Sequence, residues 1–178
     1  IITYNESVMR LTLRILSLLL VLSVTGTALG ASQRKVPAYE KYIKQYSSLA
    51  IQHQKKYRIP ASITLAQGLL ESGAGRSELA RKSNNHFGIK CHSDWRGGRV
   101  YHDDDLRGEC FRKYKNPEQS YEDHARFLVD RPRYASLFKL KITDYKGWAR
   151  GLQKCGYATD RAYANRLIKL IEDYDLYR

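Results

Sequence analysis

The chain has 178 residues, with 31 Lys and Arg against 18 Asp and Glu, a net charge of +13, and three cysteines. That length suits one domain with a real core and not two. The cysteines form no CxxC or Cys/His spacing of the kind that holds zinc, and no repeat, linker or low-complexity tract interrupts the chain.

Met9 to Arg14 is a basic stretch, Ile15 to Val24 is an apolar run, and Ala28, Leu29 and Gly30 make a small-x-small cleavage site. This pattern is that of a signal peptide, with the mature chain starting at Ala31. The apolar run falls short of the ~20 residues that a membrane-spanning helix needs, so no stable span is expected after processing. The eight residues before Met9 fit neither region. Residues 31–38 read as a short polar leader, and 39–178 as the single folded domain.

Tyr39, Tyr42, Ile43, Tyr46, Ala50, His53 and Tyr57 recur at helical spacing, which predicts a helix ending near Arg58. Pro60 then opens a second helix, in which Ile63, Leu65, Ala66, Leu69 and Leu70 supply the apolar face and Gly73 the stop. A short helix over 77–82 follows from Ser77 as N-cap. Phe87 to Cys91, Arg99 to Asp105 and Glu109 to Tyr114 read as three short strands, punctuated by glycines. Asn116 and Pro117 restart helix, with Tyr121, Ala125, Leu128 and Val129 as its buried face. Tyr134 to Phe138 is one or two helical turns. Thr143 to Cys155 is a further helix stopped by Gly156, and Thr159 and Asp160 cap a last one whose Tyr163, Leu167, Leu170 and Tyr174 share a face. The chain closes on that helix, so no separate binding module is expected. The class is α+β, mostly helical with a small inserted antiparallel β-lobe.

Glu71 is the residue around which this pattern is organised. It stands in the last turn of an apolar helix, at the negative end of the helix dipole, and both burial and the dipole disfavour its ionised form. A carboxyl kept protonated near neutrality is what a general acid requires. On these residues alone Glu71 also reads as a solvated last-turn Glu or as a partner for Arg76. The net charge of an intracellular chain would suggest nucleic acid, but no nucleic-acid-binding motif is present, and an exported basic protein meets anionic wall polymer or membrane surface. Export also permits one disulfide and one leftover thiol among Cys91, Cys110 and Cys155.

The ordered set Leu65, Ala66, Gln67, Gly68, Leu69, Leu70, Glu71, Ser72, Gly73, Gly75, Ser77, Leu79 and Ala80, then Asn84, Asn85, Phe87, Gly88, Ile89 and Lys90, closely resembles the glucosaminidase family of peptidoglycan hydrolases. The resemblance continues through Phe111 to Tyr114, Ser120 and Tyr121, Phe127 and Leu128, Tyr134, and Gly156 to Asp160 with Tyr163 and Ala164, covering residues 40–175. It implies a lysozyme-like fold with a glycan groove between two lobes. It also implies endo-β-N-acetylglucosaminidase activity on the β-1,4 bond after N-acetylglucosamine in peptidoglycan, with Glu71 as the general acid. Muramidase, lytic transglycosylase and a non-catalytic glycan-binding domain are the alternatives.

Family members carry a second carboxylate, often Glu, on the β-lobe, and the matching segment here is Tyr101, His102, Asp103, Asp104 and Asp105. Strand alternation would put Asp103 and Asp105 on one face and Asp104 on the other, and Asp103 aligns best, so Asp103 is the expected second acid. The substrate's own acetamido group is the alternative nucleophile. Tyr157 matches a family tyrosine near the scissile bond, and Phe87, Tyr163 and Asn85 are the remaining expected substrate-binding residues; Trp95 is a further ring that could stack on sugar. Cys91 and Cys110, both on β-lobe strands, are expected to pair, with Cys155 left as a buried thiol. No cofactor and no metal are expected, the partner is the peptidoglycan glycan strand, and the chain should act as a monomer in the envelope or outside the cell.

Overall fold

The computed structural model describes residues 35–178 apart from Asp94 and Asp105. The signal-peptide expectation, Ala31 to Arg34 of the leader, and Asp105 therefore lie outside the described residues. Helix α1 spans Pro37–Tyr57, α2 Ala61–Ser72 and α3 Glu78–Ser83; strands β1 and β2 span Gly98–His102 and Glu109–Lys113; α4 spans Pro117–Val129, a 3₁₀ segment Pro132–Lys139, α5 Tyr145–Lys154 and α6 Tyr163–Asp173. Helix α1 takes in the last two residues assigned to the leader, because Pro37 has the fixed φ and missing N–H that suit the first helical turn. Among the described residues no helix is long and apolar enough to cross a membrane.

Helix α2 is the axis of the molecule. Every residue from Ala61 to Leu69 is buried, the polar Ser62, Thr64 and Gln67 among them, so the helix has neighbours on all sides. Leu65 and Leu69 join Tyr42, Tyr46, Phe87, Ile89 and Tyr121 in one cluster. Ile63 and Ala66 join the other, with Leu128, Trp148, Leu152, Tyr163, Leu167 and Ile171 from α4, α5 and α6. Each fully buried large side chain in these clusters contributes about 1.5–3 kcal/mol from area removed from water. Gly68 allows the close approach of α1, since a Cβ there would stand 2.5 Å from the Tyr42 hydroxyl. The Gln54 side chain at the end of α1 accepts from Ala61 N at 2.8 Å, tying the end of one helix to the start of the next.

The β-lobe is an antiparallel hairpin in which Gly98 faces Lys113 and His102 faces Glu109. The expected strand over 87–91 is reduced to one bridge, Lys90 with Phe111. Gly88 at φ +61° bends the chain, and the Asn85 amide donates to Ile89 O and Arg112 O while accepting from Ile89 N, which occupies the groups a ladder would use. The second strand ends at His102, short of the expected Asp105, because the chain turns there: Asp103 Oδ1 accepts from Gly108 N at 2.7 Å and Asp104 N donates to Leu106 O. Cys91 and Cys110 are joined by a disulfide. Arg112 bonds both oxygens of Asp123, and the Tyr114 hydroxyl donates to Asp123 at 2.6 Å, so β2 is anchored to α4.

Two further expectations are corrected. Val129 is 44% exposed and does not belong to the buried face of α4, which is Tyr121, Ala125 and Leu128 with His124. It is the last residue of the helix and lies past the contact with the core. Cys155 is half-buried and not enclosed, because it caps α5 at the edge of the apolar cluster. In α6 it is Ile171 that completes the buried stripe of Tyr163 and Leu167, with Leu170 and Tyr174 at its margin.

Candidate active site

Between the helical lobe and the hairpin lies a groove of about 560 Å³, with Glu71 on its wall. Glu71 arrives there because α2 stops one residue later: Gly73 caps the helix at φ 55° and sends its N–H to Leu69 O. A further part of the lining comes from the segment after α5, a helix that ends in a Schellman arrangement: Gly156 at φ 73° donates to Gln153 O, and Tyr157 N donates to Leu152 O. That turn throws the Tyr157 ring back over the groove, where it stacks on Tyr163 with centroids 5.7 Å apart.

Burial is the main reason the Glu71 carboxyl is raised from the ordinary glutamate range to about 7. The Tyr163 hydroxyl donates to its Oε1 at 2.8 Å and works the other way; the negative charge of Asp104 raises the value further, and Arg166 lowers it. The net effect is an acid that is about half protonated at neutral pH, where an ordinary glutamate would be ionised, standing at the edge of an open cleft. Burial likewise holds the Tyr157 and Tyr163 phenols well above their usual range, so both are neutral donors.

The other expected site residues separate into two groups. Glu71, Phe87, Tyr157 and Tyr163 line the groove. Phe87 does so as a floor plate: it is 2% exposed and one of its faces lies on the His124 ring at 3.9 Å. The Tyr157 hydroxyl is 3.5 Å from Phe87 O, at the outer limit of a hydrogen bond, which leaves it available to a ligand.

Asn85 and Asp103 are not among the groove-lining residues. Asn85 is 1% exposed and its amide is consumed by the backbone bonds of the β-lobe, so it shapes the lobe and does not face the groove. Asp103 is exposed and caps its turn through Gly108 N. It is Asp104 that lines the groove, 3.4 Å from Lys90 Nζ. Strand alternation does not extend to this segment, because the strand has already ended. Trp95 lies under the Arg112 guanidinium, at 4.6 Å, outside the groove.

Sequence reasoning missed Gln67 and His124, which are buried beneath Glu71, and Lys90, Arg133 and Arg166 on the groove walls. Gln67 had a readable signal. It is the one amide in an apolar helix and stands four residues before Glu71, on the same helical face. His124 had none, since only the fold brings α4 under α2.

The glucosaminidase family model, described as mannosyl-glycoprotein endo-beta-N-acetylglucosaminidase, matches residues 47–176. The chain belongs to the glucosaminidase family. It is 38% identical over 136 residues to the exo-glucosaminidase LytG of Bacillus subtilis, covering 68% of this chain and 46% of that protein. It is 32% identical over 147 residues to the peptidoglycan hydrolase FlgJ of Vibrio parahaemolyticus, covering 76% and 47%. Among solved structures, the peptidoglycan hydrolase from Sphingomonas sp. A1 superposes with a TM-score of 0.69 at 34% identity, over 77% of this chain and 90% of that one. The chain spans about half the length of these curated relatives. The glucosaminidase fold is thus a lysozyme-like α+β fold here too, with the groove at the junction of its lobes.

Proposed function

We propose that this glucosaminidase domain is a peptidoglycan hydrolase that cuts the β-1,4 bond after N-acetylglucosamine within glycan strands, with Glu71 as the general acid. The observation that carries the reading is a carboxyl raised to about 7 on the wall of a two-lobed groove. Glucosaminidase and peptidoglycan hydrolase relatives support the same substrate class. A net charge of +13 suits attraction to an anionic wall polymer, and the apolar run after Met9 supports an envelope or secreted location.

In this reading Glu71 protonates the glycosidic oxygen as the bond breaks. The Tyr157 phenol orients the N-acetyl group of the sugar. The second role, activating water from the opposite face, falls to Asp104, the carboxylate that the hairpin turn aims into the groove; the sugar's acetamido group is the competing nucleophile. Lys90, 3.4 Å from its carboxylate, holds Asp104 in place.

The test is digestion of purified peptidoglycan followed by identification of the new reducing end. N-acetylglucosamine at that end supports the proposal. N-acetylmuramic acid would make the enzyme a muramidase, and a 1,6-anhydro end a lytic transglycosylase. Glu71→Gln keeps the shape but has no proton to give, and turnover should fall by about 10²–10⁴ while binding to glycan persists. Unchanged turnover would remove Glu71 from the role.

A further inference from the structure

Beneath Glu71 a chain of buried hydrogen bonds leads away from the groove into the core. Tyr163 Oη is 2.8 Å from Glu71 Oε1, Gln67 Nε2 is 2.9 Å from Tyr163 Oη, and His124 Nε2 is 3.1 Å from Gln67 Oε1. Gln67 and His124 have no exposed surface at all. Burying an amide and an imidazole is costly unless each is bonded, and an apolar pair of the same shape would hold α2 against α4 at least as well. Packing alone therefore gives no reason for polar groups here.

The direction of the bonds supplies one. In the arrangement present, His124 carries its proton on Nε2 and donates to the Gln67 oxygen, the Gln67 amide donates to the Tyr163 oxygen, and the Tyr163 hydrogen is left to point at Glu71 Oε1. Glu71 then accepts on Oε1 and keeps its own proton on the other oxygen. With the amide reversed, every bond reverses: Tyr163 donates to Gln67, and Glu71 spends its proton on the Tyr163 oxygen.

The reversed chain moves the His124 proton to Nδ1, which has no hydrogen-bond partner among the described residues. A buried N–H without an acceptor forfeits its hydration with nothing in return, and such orphans are rarer than unsatisfied acceptors. Phe87, stacked on the ring at 3.9 Å and 12°, stops the imidazole from turning to find one. Burial also keeps His124 neutral, with a pKa lowered to about 3, so it has one N–H to place and not two.

We propose that Gln67 and His124 are positioning residues: they fix the direction of the bonds through Tyr163 so that the Glu71 proton stays on the oxygen available to the substrate. This rests on the reading of Glu71 as the acid. The other titratable or charged groups facing Glu71 are Tyr157 from the preceding loop, Arg166 from α6 and Asp104 from the hairpin turn, and the substitutions below leave all three in place.

Gln67→Met keeps the volume and removes both bonds. The expected result is a kcat lowered by about tenfold or more with KM unchanged, the equivalent of about 1.4 kcal/mol of lost transition-state stabilisation. Glu71 should titrate at higher pH, since the neutral acid gains an acceptor in Tyr163, and the Tyr163 O–H, no longer polarised by the Gln67 amide, donates less strongly to the ionised form. A carbon-13 NMR titration of the Glu71 side chain in the free protein reads that shift without substrate. His124→Phe should act in the same direction, and His124→Gln, which retains an N–H near the Nε2 position, should recover most of kcat. If Gln67→Met does not fold, the two His124 variants decide. Wild-type kcat with an unmoved Glu71 titration, or equal losses in His124→Phe and His124→Gln, would overturn the proposal. Turnover surviving in Glu71→Gln would instead sink the assignment of the acid, and the NMR titration would still report whether the relay acts on that carboxyl.

Discussion

At the scale of single residues, Glu71 is held in a state its neighbours can tune. The negative charge of Asp104 raises its pKa, so Asp104→Asn should move the alkaline limb of the pH–activity profile to lower pH as well as reduce kcat. Asp103→Asn should leave the limb in place, because that side chain caps a turn and does not face the groove. Paired pH profiles of the two variants check this. Glu71 also destabilises the fold when ionised. Its folded value, about 7, lies above the ordinary 4.5, so the native state binds the extra proton, and stability falls as pH rises from about 4.5 through 7. Glu71→Gln should therefore melt higher than the wild type at pH 8, by the equivalent of roughly 1–3 kcal/mol after allowing for the side chain's partial exposure, and match it at pH 4. Thermal melts at the two pH values decide it. A stabilising change that removes activity is the usual mark of a strained functional group.

At the scale of elements, the hairpin is the part whose placement depends most on local devices. It has two strands, one bridge to the segment before it, and the Arg112 to Asp123 pair beneath it. The Cys91–Cys110 disulfide closes a loop with a sequence separation of 19 residues, for which cross-linking stabilises the fold by about 3 kcal/mol. Reduction, or Cys91→Ser with Cys110→Ser, should lower the melting temperature and also lower kcat, because Lys90 and Asp104 are carried by the same lobe. Calorimetry with and without reductant, alongside turnover, tests both parts. In α2 the constraint is of a different kind. Gly68→Ala would place a methyl 2.5 Å from the Tyr42 hydroxyl, which cannot swing aside because it is bonded to Tyr121 and His86. A loss of about 1–3 kcal/mol is expected in chemical denaturation.

At the scale of the whole molecule, neutral histidines shape the response to acid. Burial lowers His86 to about 4 and His124 to about 3, and lowers His53 as well. The unfolded chain, with histidines near 6.5, binds more protons than the native state below that pH, so stability is full above about 6.5 and is lost as pH falls toward the folded values. Glu71 contributes with the opposite sign over part of the same range, but it is one group against three. The urea midpoint should be lower at pH 4.5 than at pH 7, and His86→Gln should lessen the difference. A midpoint unchanged between the two pH values would count against neutral buried histidines.

Much of this architecture could be read from local chemistry. Each helix is set by its own periodicity and stops: Gly73 and Gly156 end α2 and α5 because only a residue tolerant of positive φ fits there, and Ser77 and Asn116 cap the helices that follow them. The candidate acid was legible for the same reason, since its helix, its dipole and its apolar neighbours all lie within a dozen residues. The carboxylate facing it was not. Asp103 and Asp104 are chemically alike and adjacent, and which one enters the groove depends on where β1 gives way to a turn, a matter settled by the bonds to Gly108 and Leu106. Asn85 looked like a ligand residue because its other partners, Ile89 and Arg112, are joined to it only once the lobe has folded. His124 lies 57 positions from the glutamine it contacts. Local sequence determines which groups a chain can offer and on which element; long-range packing determines which of them meet, because burial and the direction of a hydrogen bond are properties of the neighbours and not of the residue.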